Sequence, residues 1–168
     1  GARQRGALLA RARAVQAQGG NVRPCVEREP LQDPVNDSGL SWLAGGGEMG
    51  RLIRAKDWSR TPLGPVESWP QSLRSALSIL LPSKAEICLF WGRDLVNFYN
   101  DAYRPVLGAK HPRGLGLPGR EVWSEIWDGV LRPLLEGVLN TGEAFWASDH
   151  PFFLERHGYL EETYFDVS

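Results

Sequence analysis

The spacing of hydrophobic positions changes along the chain, and the changes predict its elements. Leucine and alanine recur at helical spacing up to Pro82, which predicts a helix at about 69–81. Two short β-rich runs follow at 86–91 and 95–99, and the three residues between them, Gly92-Arg93-Asp94, are typical of a hairpin loop. The pattern therefore predicts a helix followed by a β-hairpin.

In the second half of the chain, the hydrophobic spacing changes from that of helices to that of strands. Short helices are predicted between Asp101 and 139, and strands at 144–148, 152–156 and 159–167. Strands on both sides of a helical middle do not form a βαβ series. The economical packing is an α+β fold in which short helices cover one face of an antiparallel sheet.

The first 40 residues have a different character from the rest. Four arginines and no acidic residue lie in the first 20 positions, the first aromatic residue is Trp42, and the stretch 21–39 carries three prolines. The spacing also allows a short helix at 7–18. We expect a polar basic arm and linker at 1–40, a leader at 41–84 that contains the helix at 69–81, and the sheet domain at 85–168.

Composition narrows the function classes. The chain has 168 residues, of which 42% are hydrophobic, and this suits one domain with a core. A net charge of −1 does not favour nucleic-acid binding, and no apolar run is long enough for a membrane span. Two cysteines are too few for a metal cluster or a disulfide-rich scaffold, whereas seven tryptophans indicate a large core, a pocket or an interface.

Several segments together resemble one family, the PAS domains of bacterial sensor histidine kinases. Three segments are similar to a leader that often precedes the domain: 47–50 (GEMG), 57–65 (DWSRTPLGP) and 69–74 (WPQSLR). Five are similar to the domain itself: 91–92 (WG), 98–103 (FYNDAY), 110–112 (KHP), 125–127 (EIW) and 158–162 (GYLEE). The resemblance covers about residues 45–168.

The resemblance implies a function. It suggests a bacterial, cytoplasmic sensory module of two-component signalling, in which a bound small molecule or a change of packing regulates an attached kinase. It also implies a homodimer formed through the PAS domain or its flanking helices. The alternative is a PAS module without ligand that serves dimerisation or partner docking.

One departure from the family concerns the end of the sheet. Family members continue past the position of Ser168 with a last strand that lies at the centre of the sheet, and this chain stops before it. An empty centre would leave a row of unpaired backbone groups. The alternatives are that a segment of another copy fills the gap, that the N-terminal arm fills it, or that the structure is incomplete there.

The candidate site is a pocket between the sheet and its helices. An aromatic lining with a few hydroxyl or thiol groups is typical of small-molecule sites, and the simpler interpretation is that these side chains fill the core. The candidate lining residues are Cys88, Val96, Phe98, Tyr103, Trp123, Trp127, Leu135 and Tyr164, and Asn100 is the predicted cap of the helix after the hairpin.

No other chemistry stands out in the sequence. The three histidines lie in predicted loops, which disfavours haem, and Cys88 lies in a strand rather than in the motif of a flavin photoreceptor. We find no catalytic motif, no metal-ligand spacing and no phosphate-binding loop, so we do not expect an enzyme. The identity of a ligand or cofactor stays open.

Overall fold

The computed structural model describes residues 8–12, 41–43, 45–155 and 157–168, and an antiparallel sheet of five strands lies at its centre. The strands are β1 (Leu8–Ala12), β2 (Glu86–Trp91), β3 (Val96–Tyr99), β4 (Ala147–Glu155) and β5 (Leu160–Val167). Their spatial order is β3-β2-β1-β5-β4, and all neighbours are antiparallel. The α+β class with an antiparallel sheet agrees with the sequence pattern.

The central strand comes from the N-terminal arm. In β1, Ala10 lies opposite Cys88 of β2 on one side and opposite Val167 of β5 on the other. The arm therefore fills the gap between the two hairpins, and Leu8–Ala12 is a strand where the spacing also allowed a short helix. Unpaired backbone groups on β2 and β5 need partners, and this need overrides the local helical preference. The predicted linker at 21–39 lies outside the described residues.

Two strand boundaries differ from the prediction. β3 begins at Val96 because Leu95, with φ of 51°, belongs to the tight turn after Gly92. β4 joins two predicted strands across Pro151. Proline is tolerated there because β4 is an edge strand, in which only one side of the backbone pairs with a neighbour.

The helices are short. The α-helices are α1 (Gly47–Ala55), α2 (Gln71–Leu80), α3 (Arg104–Leu107), α4 (Gly119–Val122), α5 (Ser124–Ile126) and α6 (Arg132–Thr141). A π-helical turn at Trp127–Leu131 joins α5 to α6, and 3₁₀ turns lie at Ser41–Leu43, Val66–Ser68, Asp101–Tyr103 and Gly108–Lys110. The predicted helix at 69–81 begins only at Gln71, since Trp69 and Pro70 are extended.

Three tryptophans of the leader pack together around Phe98 on one face of the β2–β3 hairpin. Phe98 stacks on Trp58 with ring centroids 5.3 Å apart and meets the edge of Trp69 at 5.7 Å. Trp69 also contacts Trp42, and the Trp58 indole donates to the Ile53 carbonyl at 2.7 Å. The leader therefore covers the face of the hairpin opposite the short helices, and both faces of the hairpin are buried.

Candidate functional site

The face of the sheet toward the short helices encloses a small apolar cavity of about 30 Å³. We call it the sheet cavity. Its lining is entirely apolar or aromatic: Phe90, Tyr103, Trp123, Ile126, Leu131, Phe152, Leu154, Phe165 and Val167. The volume is that of one water-sized group, far below the several hundred Å³ of a typical ligand pocket. Among the described residues, the buried indole N–H of the lining residue Trp123 has no hydrogen-bond partner.

Two candidate lining residues, Tyr103 and Trp123, belong to the sheet cavity, and Cys88 lies on the same face of the hairpin. The Cys88 thiol is fully buried and donates to Oδ1 of Asn97 at 3.0 Å. Burial raises the pKa of the thiol well above its ordinary value, and a hydrogen bond with Tyr103 opposes this rise. Cys88 therefore stays a neutral donor in the core.

Val96 and Phe98 lie on the opposite face of the hairpin, toward the leader. They are therefore not part of the sheet cavity, and Asn97 between them, on the face toward the short helices, is fully buried. Its amide donates to the Gly114 carbonyl at 3.2 Å, and its oxygen accepts from Cys88. A polar residue with every partner inside the protein therefore misled the inference about which face points inward.

The remaining candidates lie at different distances from the cavity. Trp127 reaches Gly119, which also adjoins Phe90 of the lining, and Leu135 is buried in α6. Tyr164 is 49% exposed on the outer face of β5, where its hydroxyl donates to Glu162 at 2.7 Å. Tyr164 therefore does not line the cavity.

Several lining residues are not among the sequence candidates, and they come mainly from β4 and β5. Phe152 and Leu154 alternate with exposed residues along β4, and Phe165 and Val167 do so along the end of β5. The alternation is visible in the sequence at the end of β5, where Asp166 separates Phe165 from Val167, but not in β4, where Phe152, Phe153 and Leu154 are all apolar. Phe90 has no such signal, because every residue of β2 from Ile87 to Trp91 is apolar.

Asn100 has four hydrogen bonds and no exposure to solvent. Its Oδ1 accepts from the backbone N–H groups of Tyr103 at 3.1 Å and Ile87 at 3.2 Å. Its amide donates to the carbonyls of Ser83 and Ala85. The side chain therefore caps the turn that follows the hairpin and also ties this turn to the start of β2.

A polar contact, the leader junction, joins α1 to the residues after the hairpin. The Asp101 carboxylate accepts from the N–H groups of Glu48 at 3.0 Å and Met49 at 2.8 Å, at the N-terminus of α1. The Glu48 carboxylate in turn pairs with Arg104 at 2.6 Å. A negative carboxylate at the positive end of a helix is a stabilising arrangement.

The leader junction continues to the face of the sheet that carries the cavity. Nε2 of His111 lies 3.3 Å from Glu48 and its Nδ1 lies 2.9 Å from the Tyr99 hydroxyl. Burial, followed by the nearby Cys88 thiol, raises the pKa of Tyr99 well above its ordinary value. The Tyr99 ring lies 6.5 Å from that of Tyr103, a cavity residue, so α1 and the cavity are connected through packed side chains.

A second, open cleft of about 380 Å³ lies beside α4 and the end of β4. Its charged residues include Lys110 and Glu125, which form an ion pair with each other, and Arg113. The Lys110 ammonium also lies 4.4 Å above the Trp123 ring. Within the described ranges no three or more His, Cys, Asp or Glu side chains are grouped as a metal would need, and each helix there falls short of the length and apolarity of a membrane span.

Comparisons of the chain with protein-family models, with curated proteins and with solved structures find no match.

Proposed function

We propose that the chain is a PAS-type sensory module of a two-component sensor histidine kinase, in which packing changes around the sheet cavity regulate an attached kinase. The observation that carries the proposal is the sheet itself. Two hairpins, β2–β3 and β4–β5, flank an inserted strand, and the chain between them forms short helices over an apolar cavity. This arrangement supports the proposal, with β1 at the centre of the sheet, where the family has its last strand.

The size of the cavity favours packing as the signal. A cavity of about 30 Å³ has no room for a drug-sized ligand, so a bound molecule must either be very small or displace side chains of the lining. The Trp123 N–H, which has no hydrogen-bond partner in the described part of the chain, would be a donor for such a molecule. Repacking at Tyr103 would reach α1 through Tyr99 and His111.

The test compares two neighbouring phenylalanines on β4. Residues 1–168 are fused to the transmitter core of a histidine kinase that lacks its own sensor, and the autophosphorylation rate is measured. Phe152 lines the cavity, whereas Phe153 is 49% exposed on the outer face. Phe152→Leu should change the rate several-fold, and Phe153→Leu should leave it unchanged when both proteins melt near the wild-type temperature. Equal rates for all three proteins would contradict regulation through the cavity.

Native mass spectrometry of the unfused chain tests for a resident ligand. The native mass per chain is compared with the denatured mass. A reproducible excess would establish a bound molecule and narrow its chemical class. A bare mass agrees with signalling by packing alone.

A second candidate, a ligand-free dimerisation module, is favoured by the outer face of β4 and β5. Phe153, Leu160 and Tyr164 share this face and are 49%, 62% and 49% exposed. A second copy of the chain is the simplest partner for such an apolar face. If Phe153→Glu abolishes dimers in light scattering while Phe152→Leu has no effect on kinase output, the second candidate replaces the first.

A further inference from the structure

The central strand β1 is held differently from the other four. It forms no hairpin with either neighbour, because the stretch 13–40 separates it from the leader and β2 begins only at Glu86. Its register pairs Leu8–Ala12 with Glu86–Phe90 of β2, but only three residues of β5, Phe165 to Val167, lie opposite it. Within the described residues, β1 is therefore held in place by its pairing with β2 and β5.

The sequence of β1 does not favour a strand. Leu-Leu-Ala-Arg-Ala contains neither a β-branched nor an aromatic residue, and its residue types prefer helices. The extended conformation is therefore imposed by the space between β2 and β5. A segment whose local preference opposes its place in the fold leaves that place more readily than one whose preference agrees.

The space that β1 occupies cannot remain empty at low free energy. Cys88 and Phe90 of β2 and Phe165 and Val167 of β5 are buried on either side of it. Removing β1 would leave two rows of unpaired backbone groups at the centre of the sheet. An identical strand from another chain restores every one of these pairings.

We propose that β1 is exchanged between two copies of the chain, so that in a dimer each copy's Leu8–Ala12 fills the space between β2 and β5 of the other. The stretch 13–40 would span roughly 100 Å when fully extended, which is enough to reach a neighbouring molecule. Insertion within one chain competes with exchange and does not depend on protein concentration, so the exchanged dimer forms more as protein concentration rises. This proposal does not rest on the proposed function.

A disulfide between two different chains tests the exchange directly. One full-length chain carries Ala10→Cys with Cys88→Ser, the other keeps Cys88, and both carry Cys25→Ser. Ala10 lies opposite Cys88 in the sheet, and directly opposite Cα atoms of antiparallel strands are about 5 Å apart, within reach of a disulfide. These two chains can form the disulfide between positions 10 and 88 only across two molecules. One chain is ¹⁵N-labelled so that the mass of the product identifies its components.

The expected result is a mixed disulfide dimer whose yield rises as the mixed chains are refolded at increasing concentration. Leu9→Cys in place of Ala10→Cys is the matched control, because Leu9 lies opposite Leu89 and should give no bond. A single chain with both Ala10→Cys and Cys88 reports insertion within one molecule. If only this chain forms the bond and the mixture never does, exchange is excluded. If neither forms it, β1 does not occupy the space and the proposal also fails.

Circular dichroism and a thermal melt of each variant before oxidation confirm that the proteins are folded. The experiment is also independent of the outer face of β4 and β5. A dimer that forms through that face without the mixed disulfide would support the second candidate function and overturn the strand exchange.

Discussion

Cys88 and Asn97 face each other across the β2–β3 hairpin, and the thiol donates to the amide oxygen at 3.0 Å with both side chains fully buried. The two side chains form a buried polar contact on the face of the hairpin toward the short helices, beside the apolar sheet cavity. Since the Asn97 amide also donates to the Gly114 carbonyl, it holds the hairpin to the loop before α4.

The buried thiol predicts a loss of stability at alkaline pH. Burial raises the pKa of Cys88 in the folded protein, so the unfolded chain releases this proton first, near pH 9. The free energy of unfolding should therefore be flat below about pH 9 and fall above it by up to about 1.4 kcal/mol per pH unit for this one group. Urea unfolding between neutral pH and about pH 10.5 measures the slope.

Cys88→Ser is the matched variant for this prediction. Its hydroxyl can still donate to Asn97 but does not titrate. The free energy of unfolding should therefore fall less at alkaline pH, by the contribution of one titrating group. Tyr99, whose pKa is also raised by burial, contributes a separate loss that the variant retains. Identical slopes for the two proteins would show that Cys88 is not protected from ionisation.

Asn100→Ala should lower the free energy of unfolding by about 3 kcal/mol, more than the loss of a simple helix cap. The substitution leaves two N–H donors and two carbonyl acceptors without the partner they have now. Asn140→Ala at an exposed position of α6 is the control and should change stability by less than about 0.5 kcal/mol. Similar effects for the two substitutions would contradict the assigned role.

Trp58→Ala should cost about 4 kcal/mol, because it removes a buried ring that stacks on Phe98 and contacts Trp69. Trp146 is the same residue type but is 71% exposed, and Trp146→Ala should cost less than about 0.5 kcal/mol. Chemical denaturation of the two variants gives both values. A small loss for Trp58→Ala would mean that the leader is not packed on the hairpin.

Two helical glycines should respond to alanine in opposite directions. A Cβ on Gly50 of α1 would lie 2.2 Å from the Gly45 carbonyl oxygen, so Gly50→Ala should cost about 2 kcal/mol. A Cβ on Gly137 of α6 meets nothing within 4 Å, so Gly137→Ala should stabilise the protein by up to about 1 kcal/mol through helix propensity. Thermal melts compare them, and the same sign for both would refute the close approach at Gly50.

The sequence predicts those parts of the molecule whose signal is local. The helix at 69–81, the hairpin around Gly92 and the position of Asn100 depend on spacing, turn residues and capping within a few residues of chain. The structure places all three close to their predicted positions. The sequence by itself thus determined the α+β class and most element positions.

Only the tertiary structure decided which segments meet and which side of each strand faces the cavity. Leu8–Ala12 prefers a helix locally and is a strand because β2 and β5 need a partner. Phe98 faces the leader because the buried Asn97 satisfies its polar atoms inside the protein, while Tyr164 faces outward. These outcomes depend on backbone pairing and on contacts between residues far apart in the chain, and spacing within a single segment does not contain them.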